Sequence, residues 1–521
     1  MSPAVTTPEP AVTTPPPSVE YLVVGAGTAG CVLARRLLDH TDGQVLLLEA
    51  GGSPDDVPAT RTPSRWVENI GAPHDWGYSY APEEALGGRT LFLSRGKALG
   101  GSGSTNALVW VRGHRDVYDG WAAGGADGWG FDDVLPAFRR SEDWQDGASA
   151  HRGAGGPVRV ERTTDLHPVG EALVEAGVAY GMPHLDDINV PEPLGAGPIN
   201  MDARGDERSS TWTGHLRPVL DHERLTVVTG AEVTGLRLEG GRATGVTYVR
   251  DGVATTVRAS RETILCAGAI NTPRLLLRSG IGPAAHLREV GVEPVVDLPG
   301  VGEELQEHPI IAGLCFEADG ALPPPRHNLE GSMAFWRSSP DATVPDLTFV
   351  SVQIPYVSAE VAQAFPPPAN AFCLAPGVMT VRSRGRLRLT GPGPDDALDI
   401  RSGMLSDPAD LEAAVRGVEI GLELADQPAF RKLIARRVAP GPDLRREALT
   451  DFVRRAAMPY FHPAGTCAMG RHERAVVDPE LRVHGVEGLR VADASVMPTI
   501  PSANTNAPTA MIAERAAELL R

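Results

Sequence analysis

Apolar and polar positions near the start of the chain follow the order strand, helix, strand. The apolar run YLVV ends at Gly25, a helical pattern covers residues 31–38, and a second apolar run covers residues 45–48. Buried strands joined by a helix are typical of a parallel sheet. A second crossover of this kind is predicted at residues 262–283, where a buried strand enters a helix that carries Pro273 in its first turn.

The middle of the chain has a different pattern, with strand-like runs and separate helical patterns. Residues 233–250 alternate apolar and polar side chains around a turn at 239–242 and predict a hairpin. The apolar segment 361–381 is broken by four prolines, so we predict a loop there. The remaining predicted elements are helices at 169–180, 408–424, 444–456 and 508–520 and strands at 225–230, 346–354, 384–391 and 488–498.

Together these patterns predict a mixed fold that is α/β in its first part and α+β overall. A chain of 521 residues is also longer than a single hydrophobic core usually supports, so at least two domains are expected. A Rossmann-like dinucleotide-binding domain with a parallel sheet is predicted to comprise residues 19–160, 225–310 and 457–521. A substrate-binding domain, built as an antiparallel sheet covered by helices, would comprise residues 161–224 and 311–456.

Three glycines with the spacing G-x-G-x-x-G occupy the turn between the first strand and the first helix. Gly25 permits the tight turn, Gly27 lets the backbone approach a pyrophosphate, and Gly30 lets the helix pack against the strand. Glu49 ends the second strand, where a carboxylate can accept hydrogen bonds from two ribose hydroxyls. The alternative is a glycine-rich turn and a surface glutamate. The complete pattern favours a dinucleotide without a 2'-phosphate, and the motif does not separate NAD from FAD.

A second glycine-rich stretch, FLSRGKALGGSGSTNALVW, covers residues 92–110. Its backbone amides, with Arg95 and Lys97 beside them, could line a polar part of the cofactor far from the first motif. A flexible surface loop is the alternative.

The formal charge of −18 disfavours nucleic acid and anionic membranes as partners, because both need basic patches. Five scattered cysteines without C-x-x-C fit a reducing compartment, and we expect a cytoplasmic protein without stable membrane insertion. Residues 1–18, rich in Pro and Thr, lack the basic and apolar regions of a signal peptide and are predicted to be a disordered tail. The histidines show no metal-ligand spacing, so no metal is expected.

The chain after residue 18 resembles the glucose-methanol-choline (GMC) family of FAD-dependent oxidoreductases. The motifs that carry the resemblance are, in the order of the family, VVGAGTAGCVLARRL with LLLEAG, RGKALGGSGSTN, GAINTPRLLLRSGIGP, VGEELQEHP, HPAGTCAMG and GLRVADASVMPTIPSANTNAPTAMIAERAAELL. The last motif is most similar to the choline dehydrogenase and the aryl-alcohol or hydroxymethylfurfural oxidase branches.

The resemblance implies FAD as cofactor and assigns its contacts residue by residue. The ADP half would contact Gly25, Gly27, Thr28, Ala29, Gly30, Glu49 and Ala50. The flavin ring and ribityl chain would lie along Gly100, Gly101, Ser104, Thr105, Asn106 and Ala107. Val233 would contact adenine through its backbone, and Asp493 with Ala494 would contact the pyrophosphate and ribityl region.

The resemblance also makes His462 the catalytic histidine and Asn506 its partner, where some relatives carry a second histidine. A neutral imidazole suits the chemistry, because hydride leaves readily only once a base takes the hydroxyl proton. Asn506 can donate an N–H to the same oxygen. Locally, His462 could equally be a packed residue and Asn506 a turn residue, and His308 is interpreted as capping the turn before Pro309.

The expected activity is FAD-dependent oxidation of a primary alcohol, aryl or allylic, to an aldehyde, with oxygen or another electron acceptor. We expect a neutral substrate and not choline, because few aromatic side chains are available to build a cage for a quaternary ammonium. FAD is expected to be noncovalent, since Thr105 stands where choline oxidase-type members tether the flavin through histidine. A hydroxynitrile lyase-type enzyme, a choline-type dehydrogenase and a non-catalytic flavin-binding module are the alternatives, and the oligomeric state stays open.

Overall fold

The computed structural model describes residues 16–521. The predicted disordered tail therefore lies outside the described residues as far as residue 15. The first strand begins at Ser18, and the backbone N–H of Arg258 donates to the Pro17 carbonyl, so the sheet includes the last two residues assigned to the tail.

The first sheet is mainly parallel and has seven strands. Its order is Leu225–Val228, Val45–Leu48, Ser18–Val24, Val253–Leu265, Arg242–Arg250 and Glu232–Glu239, with Leu489–Val491 also pairing with Val253–Leu265. Val24 lies opposite Leu48 on one side and Leu265 on the other, so these parallel strands end level with one another. Their carboxyl ends therefore form one edge, which is where open α/β sheets bind ligands.

The second sheet is antiparallel and has eight strands. Its order is Ile434–Ala439, Leu314–Ala318, Ala371–Val378, Leu347–Val352, Ser332–Trp336 and Gly195–Pro198, extended by Pro309–Ile311 and Ala457–Pro459. The helices Pro168–Tyr180 and Pro408–Ala425 pack on it. A parallel first sheet and an antiparallel second sheet with helices confirm the predicted fold class, and the hairpin turn at 239–242 lies where the pattern indicated.

The predicted loop at 361–381 is wrong, because Ala371–Val378 is a fully buried strand in the middle of the second sheet. On one side, this strand pairs with Leu314–Ala318 as far as Leu374. Beyond that point its partner is a different segment, with Ile310 opposite Gly377. Pro376 falls between these two partners, so its missing N–H is tolerated there.

Pro273 does not lie in the first turn of its helix, as the sequence suggested, because the helix runs from Gly268 to Arg278. Proline inside a helix leaves the carbonyl four residues earlier without its usual donor. The Thr466 hydroxyl fills that role and donates to the Ala269 carbonyl at 2.7 Å. The segment that carries Thr466 is thereby attached to this helix.

The remaining elements connect and cover the two sheets. The other α-helices are Thr28–His40, Pro58–Arg61, Arg115–Ala123, Phe131–Ser141, Ala284–Glu289, Ala359–Ala364, Pro428–Arg431, Arg446–Ala456 and Asn506–Glu518. Smaller strands are Tyr78–Glu83, Arg89–Leu93, Glu142–Trp144, Val158–Arg162, Asn200–Met201, Ala203–Arg204, Glu207–Arg208, Ile281–Gly282, Val296–Asp297, Arg386–Leu389 and Leu398–Arg401. Among residues 16–521, no helix is both long and apolar enough to cross a membrane.

Candidate active site

One large cavity lies between the carboxyl edge of the first sheet and the face of the second sheet. The first sheet contributes the turns that follow its parallel strands, including Gly25, Glu49 and Asp493. The second sheet contributes apolar side chains such as Val350 and Val352. A long polar molecule could therefore bind along the first sheet with one end facing an apolar chamber.

The first glycine loop, residues 25–30, has two close backbone approaches and one open side, as its spacing predicts. Gly25 has a φ of +96°, and a Cβ there would lie 2.6 Å from the Cys266 carbonyl oxygen. A Cβ on Gly30 would overlap the carbonyl oxygen of Gly25, so the helix packs directly on the turn. At Gly27 the nearest atom to a Cβ, the Gly101 Cα, is 3.9 Å away, and this open side faces the cavity. Gly25 and Gly27, with Thr28 and Ala29 beside them, line the cavity and fit a pyrophosphate, whereas Gly30 does not line it.

Glu49 is buried at the end of its strand and lines the cavity beside Ala50. Its two carboxylate oxygens accept hydrogen bonds from the backbone N–H groups of Ala26 and Gly51, each at 2.8 Å. Burial raises the pKa of Glu49 to about 7, and the backbone donors oppose that shift. Each oxygen keeps a further acceptor site, so the carboxyl group fits a ribose diol as well.

The second glycine loop, residues 96–107, packs directly against the first. The Gly100 N–H donates to the Ala26 carbonyl at 2.7 Å, and a Cβ on Gly101 would lie 2.8 Å from the Gly27 Cα. Of the residues assigned to the cofactor here, Gly101, Thr105, Asn106 and Ala107 line the cavity. Gly100 and Ser104 do not; the Ser104 hydroxyl donates to the Leu99 carbonyl and shapes the turn.

A buried arginine that the sequence patterns did not single out holds this second loop in place. Arg208 donates to the carbonyl oxygens of Thr60, Gly103 and Asn106 and to the Asn106 side-chain oxygen. Because a guanidinium supplies several donors in a fixed plane, one side chain can fix the loop at several points.

Asp493 lines the cavity with Ala494, but its carboxylate accepts hydrogen bonds from other groups of the protein. It accepts hydrogen bonds from the Gly268 N–H at 2.8 Å, the Thr272 hydroxyl at 2.6 Å and the Ser495 N–H at 2.8 Å. Val233 also lines the cavity, next to Glu232, whose carboxylate pairs with Arg274. The side chain of Asp493 therefore fixes the loop whose backbone faces the predicted pyrophosphate and ribityl region.

His462 lies in a buried cluster that contains a second histidine. Its Nδ1 is 3.0 Å from the Nδ1 of His308, and its Nε2 is 3.2 Å from the Nδ2 of Asn504. Burial lowers the pKa of His462 well below its usual range and that of His308 to about 3, so both rings are neutral near pH 7. With the shared proton on Nδ1 of His462, its Nε2 is unprotonated, and its lone pair lies beside the Asn504 amide.

His308 was interpreted from the sequence as a capping residue, and its contact with His462 was missed. Glu307, also missed, accepts hydrogen bonds from the backbone N–H of His462 at 2.7 Å, that of His308 at 3.0 Å and the Tyr80 hydroxyl at 2.8 Å. One carboxyl group thus joins the two histidine segments.

Asn506 does not contact His462, contrary to the predicted pair. Its side-chain oxygen accepts from the Thr28 hydroxyl at 2.8 Å, and its Nδ2 donates to Asp202 at 3.3 Å. It begins the helix Asn506–Glu518, which turns its side chain toward the first glycine loop. Asn504, two positions earlier and still outside the helix, occupies the place beside His462.

The apolar chamber at the His462 end is lined by aromatic side chains from several segments. The Tyr460 ring centre is 4.5 Å from that of His462. Trp66, Tyr356 and Phe461 also line the cavity. Glu330 is the carboxyl group that lines it here, and the sequence patterns did not indicate it.

Comparison with known proteins places these features in a family. Sequence models described as GMC oxidoreductase match residues 19–310 and 381–513. The oxygen-dependent choline dehydrogenase of Paraburkholderia xenovorans (strain LB400) is 39% identical, covering 96% of this chain and 94% of that protein. Pyridoxine 4-oxidase from Mesorbium loti is similar in structure, with a TM-score of 0.92 and 33% identity over 96% of this chain and 98% of that chain. Formate oxidase of Aspergillus oryzae RIB40 matches with a TM-score of 0.88 and 25% identity over 98% and 99%.

Proposed function

Because the chain belongs to the GMC oxidoreductase family, and is therefore an FAD-dependent oxidoreductase of CH–OH donors, we propose that it oxidises a primary aryl or allylic alcohol to the aldehyde. The observation that carries the proposal is a neutral, buried His462 whose Nε2 faces the cavity region of Asn504.

In this proposal His462 takes the hydroxyl proton of the substrate on Nε2. Neutral His308 contacts the other ring nitrogen and so holds the ring in one orientation; with the shared proton on Nδ1 of His462, the Nε2 lone pair is the one that accepts. Asn504 then donates its Nδ2–H to the developing alkoxide, because it already lies beside the accepting nitrogen. FAD held along the two glycine loops and Glu49 would supply the hydride acceptor, N5 of its flavin. His462 and Asn504 are both buried, and burial strengthens hydrogen bonds of this kind.

We propose noncovalent FAD. Thr105 lines the cavity on the second glycine loop, and its hydroxyl cannot form the histidine tether of choline oxidase-type enzymes. Acid precipitation should release all flavin into the supernatant, whereas flavin that remains with the precipitate would contradict this assignment.

The aryl preference is supported by the aromatic chamber and by the similarity to pyridoxine 4-oxidase, whose name indicates an alcohol on an aromatic ring. Choline-type dehydrogenation is the second candidate, because the choline dehydrogenase relatives are 36–39% identical. The cytoplasmic location and the lack of a nucleic-acid partner stay predictions.

The test is anaerobic flavin reduction by a panel that contains benzyl alcohol, cinnamyl alcohol, choline and mandelonitrile. Bleaching of the flavin by the aryl and allylic alcohols, with kcat/KM above that for choline, is expected. A preference for choline would favour the second candidate. Release of cyanide from mandelonitrile without bleaching would favour a lyase.

A further inference from the structure

Glu330 is a buried carboxyl group for which the proposed chemistry has no use. It is 6% exposed and lines the chamber just before the strand Ser332–Trp336. One carboxyl oxygen accepts from the Asn328 Nδ2 at 3.1 Å, and Asn328 is itself held by a bond to the Ala107 carbonyl at 2.8 Å. Among residues 16–521 Glu330 forms no ion pair with a basic side chain.

The groups around Glu330 do not supply a positive charge. Tyr356 and Tyr460 are the titratable groups that face it, and burial keeps both phenols neutral by raising their pKa values. Asn328 contributes one neutral donor. The pKa of Glu330 rises to about 8 through burial, against the opposing hydrogen bond from Asn328. A buried carboxyl group without a cation is costly to ionise, and a ligand that brings a cation would remove that cost.

The position of Glu330 relative to the base fits a substrate-binding role. Tyr460 connects the two groups, because it faces Glu330 and its ring lies 4.5 Å from that of His462. The Tyr460 hydroxyl lies near the side chain of Asn504, which contacts His462. A substrate whose alcohol contacts His462 would therefore extend its other end past Tyr460 toward Glu330.

We propose that Glu330 is a specificity-determining residue that binds a protonated amine or other cationic N–H group on the part of the substrate away from its CH–OH. This rests on the proposed function and narrows it from any aryl or allylic alcohol to one with a second, cationic end. It also revises the expectation of a neutral substrate, because the sequence patterns did not indicate that Glu330 lines the cavity.

The test compares benzyl alcohol with 3- and 4-(aminomethyl)benzyl alcohol on the FAD-loaded full chain. Wild-type kcat/KM for anaerobic flavin reduction should favour one ammonium isomer by about tenfold or more, the usual effect of a charge-assisted hydrogen bond. Glu330→Gln should abolish that preference while changing kcat/KM for benzyl alcohol less than about threefold. Glu317→Gln is the control, because it makes the same replacement on a strand of the same sheet, at a carboxylate that pairs with Arg436 outside the cavity.

A second measurement needs no variant. Binding of the cation requires ionised Glu330, so the ratio of kcat/KM for the ammonium alcohol to that for benzyl alcohol should rise from pH 6 to pH 8. The ratio cancels the titration of His462, which affects both substrates. A flat ratio, no wild-type preference for either ammonium isomer, or a preference that survives in Glu330→Gln would overturn the assignment. No flavin reduction by any alcohol, including benzyl alcohol, would instead refute the proposed function.

Discussion

Asn504 and Asn506 provide the sharpest test of the active-site geometry, because they are close in sequence and differ in their contacts. Asn504→Ala removes a donor 3.2 Å from the Nε2 of His462. If this donor stabilises the alkoxide in a site that excludes water, its loss costs about 2.7–4 kcal/mol, or roughly 10²- to 10³-fold in the rate of flavin reduction. FAD affinity should stay within about threefold of the wild type, since no bond to the glycine loops is lost.

Asn506→Ala should have the opposite profile. It leaves the Thr28 hydroxyl and Asp202 without their partner, and a buried group left unpaired costs about 1–3 kcal/mol. Because Thr28 lies in the first glycine loop, we expect weaker FAD binding and a lower free energy of unfolding. Once the variant is saturated with FAD, its rate of flavin reduction should be within about threefold of the wild type.

The assay is anaerobic stopped-flow reduction at saturating FAD and substrate, with the FAD dissociation constant measured separately by fluorescence. Measuring both quantities separates a catalytic defect from incomplete loading. The reasoning fails if Asn506→Ala slows reduction in the loaded enzyme as much as Asn504→Ala does. It also fails if Asn504→Ala reduces flavin at the wild-type rate.

Three further predictions follow from single contacts. Glu49→Ala should weaken FAD binding by about ten- to a hundredfold, from charge-assisted bonds of about 1.5–3 kcal/mol; unchanged occupancy on dilution would contradict a ribose contact. His462→Ala should slow flavin reduction by about 10²- to 10⁴-fold. Wild-type kcat/KM for benzyl alcohol should fall only below pH 6.5, because burial lowers the pKa of His462 and only its neutral form accepts a proton. If the same inflection persists in His462→Ala, the titrating group is a different residue. Glu307→Ala should lower the free energy of unfolding by about 1–3 kcal/mol for each donor left unpaired, measured by denaturant titration, whereas Glu307→Gln should retain most of it.

Local sequence patterns predicted the βαβ unit well because its determinants are local. The strand at 45–48 was predicted with its observed bounds, and the spacing of Gly25, Gly27 and Gly30 encodes contacts within a single turn. The strand Ala371–Val378 was missed for the converse reason. A proline is tolerated at position 376 because the partner strand changes beside it, and both partner segments are distant in the chain.

The candidate site was only partly predictable, because its polar groups meet through long-range packing. Two asparagines stand two positions apart in NTN, and the choice between them depends on where the last helix begins, at Asn506. His308 meets His462 because the strands beside them, Pro309–Ile311 and Ala457–Pro459, pair within the second sheet. Glu330 reaches the cavity only when the second sheet faces the first. A single acidic residue next to an apolar strand is the signal that could have identified Glu330 as a candidate.

The proposed base and the proposed donor come from segments that pack on different sheets. His462 follows Ala457–Pro459 in the second sheet, while Asn504 precedes the helix Asn506–Glu518, which packs on the first glycine helix Thr28–His40. The 3.2 Å contact between His462 and Asn504 therefore depends on the relative position of the two sheets. Glu307 fixes His462 to its own sheet, and Asn506 fixes the helix to Thr28. Base and donor thus approach each other only when both halves of the cofactor cavity are correctly folded, which couples the chemistry to the integrity of the FAD site.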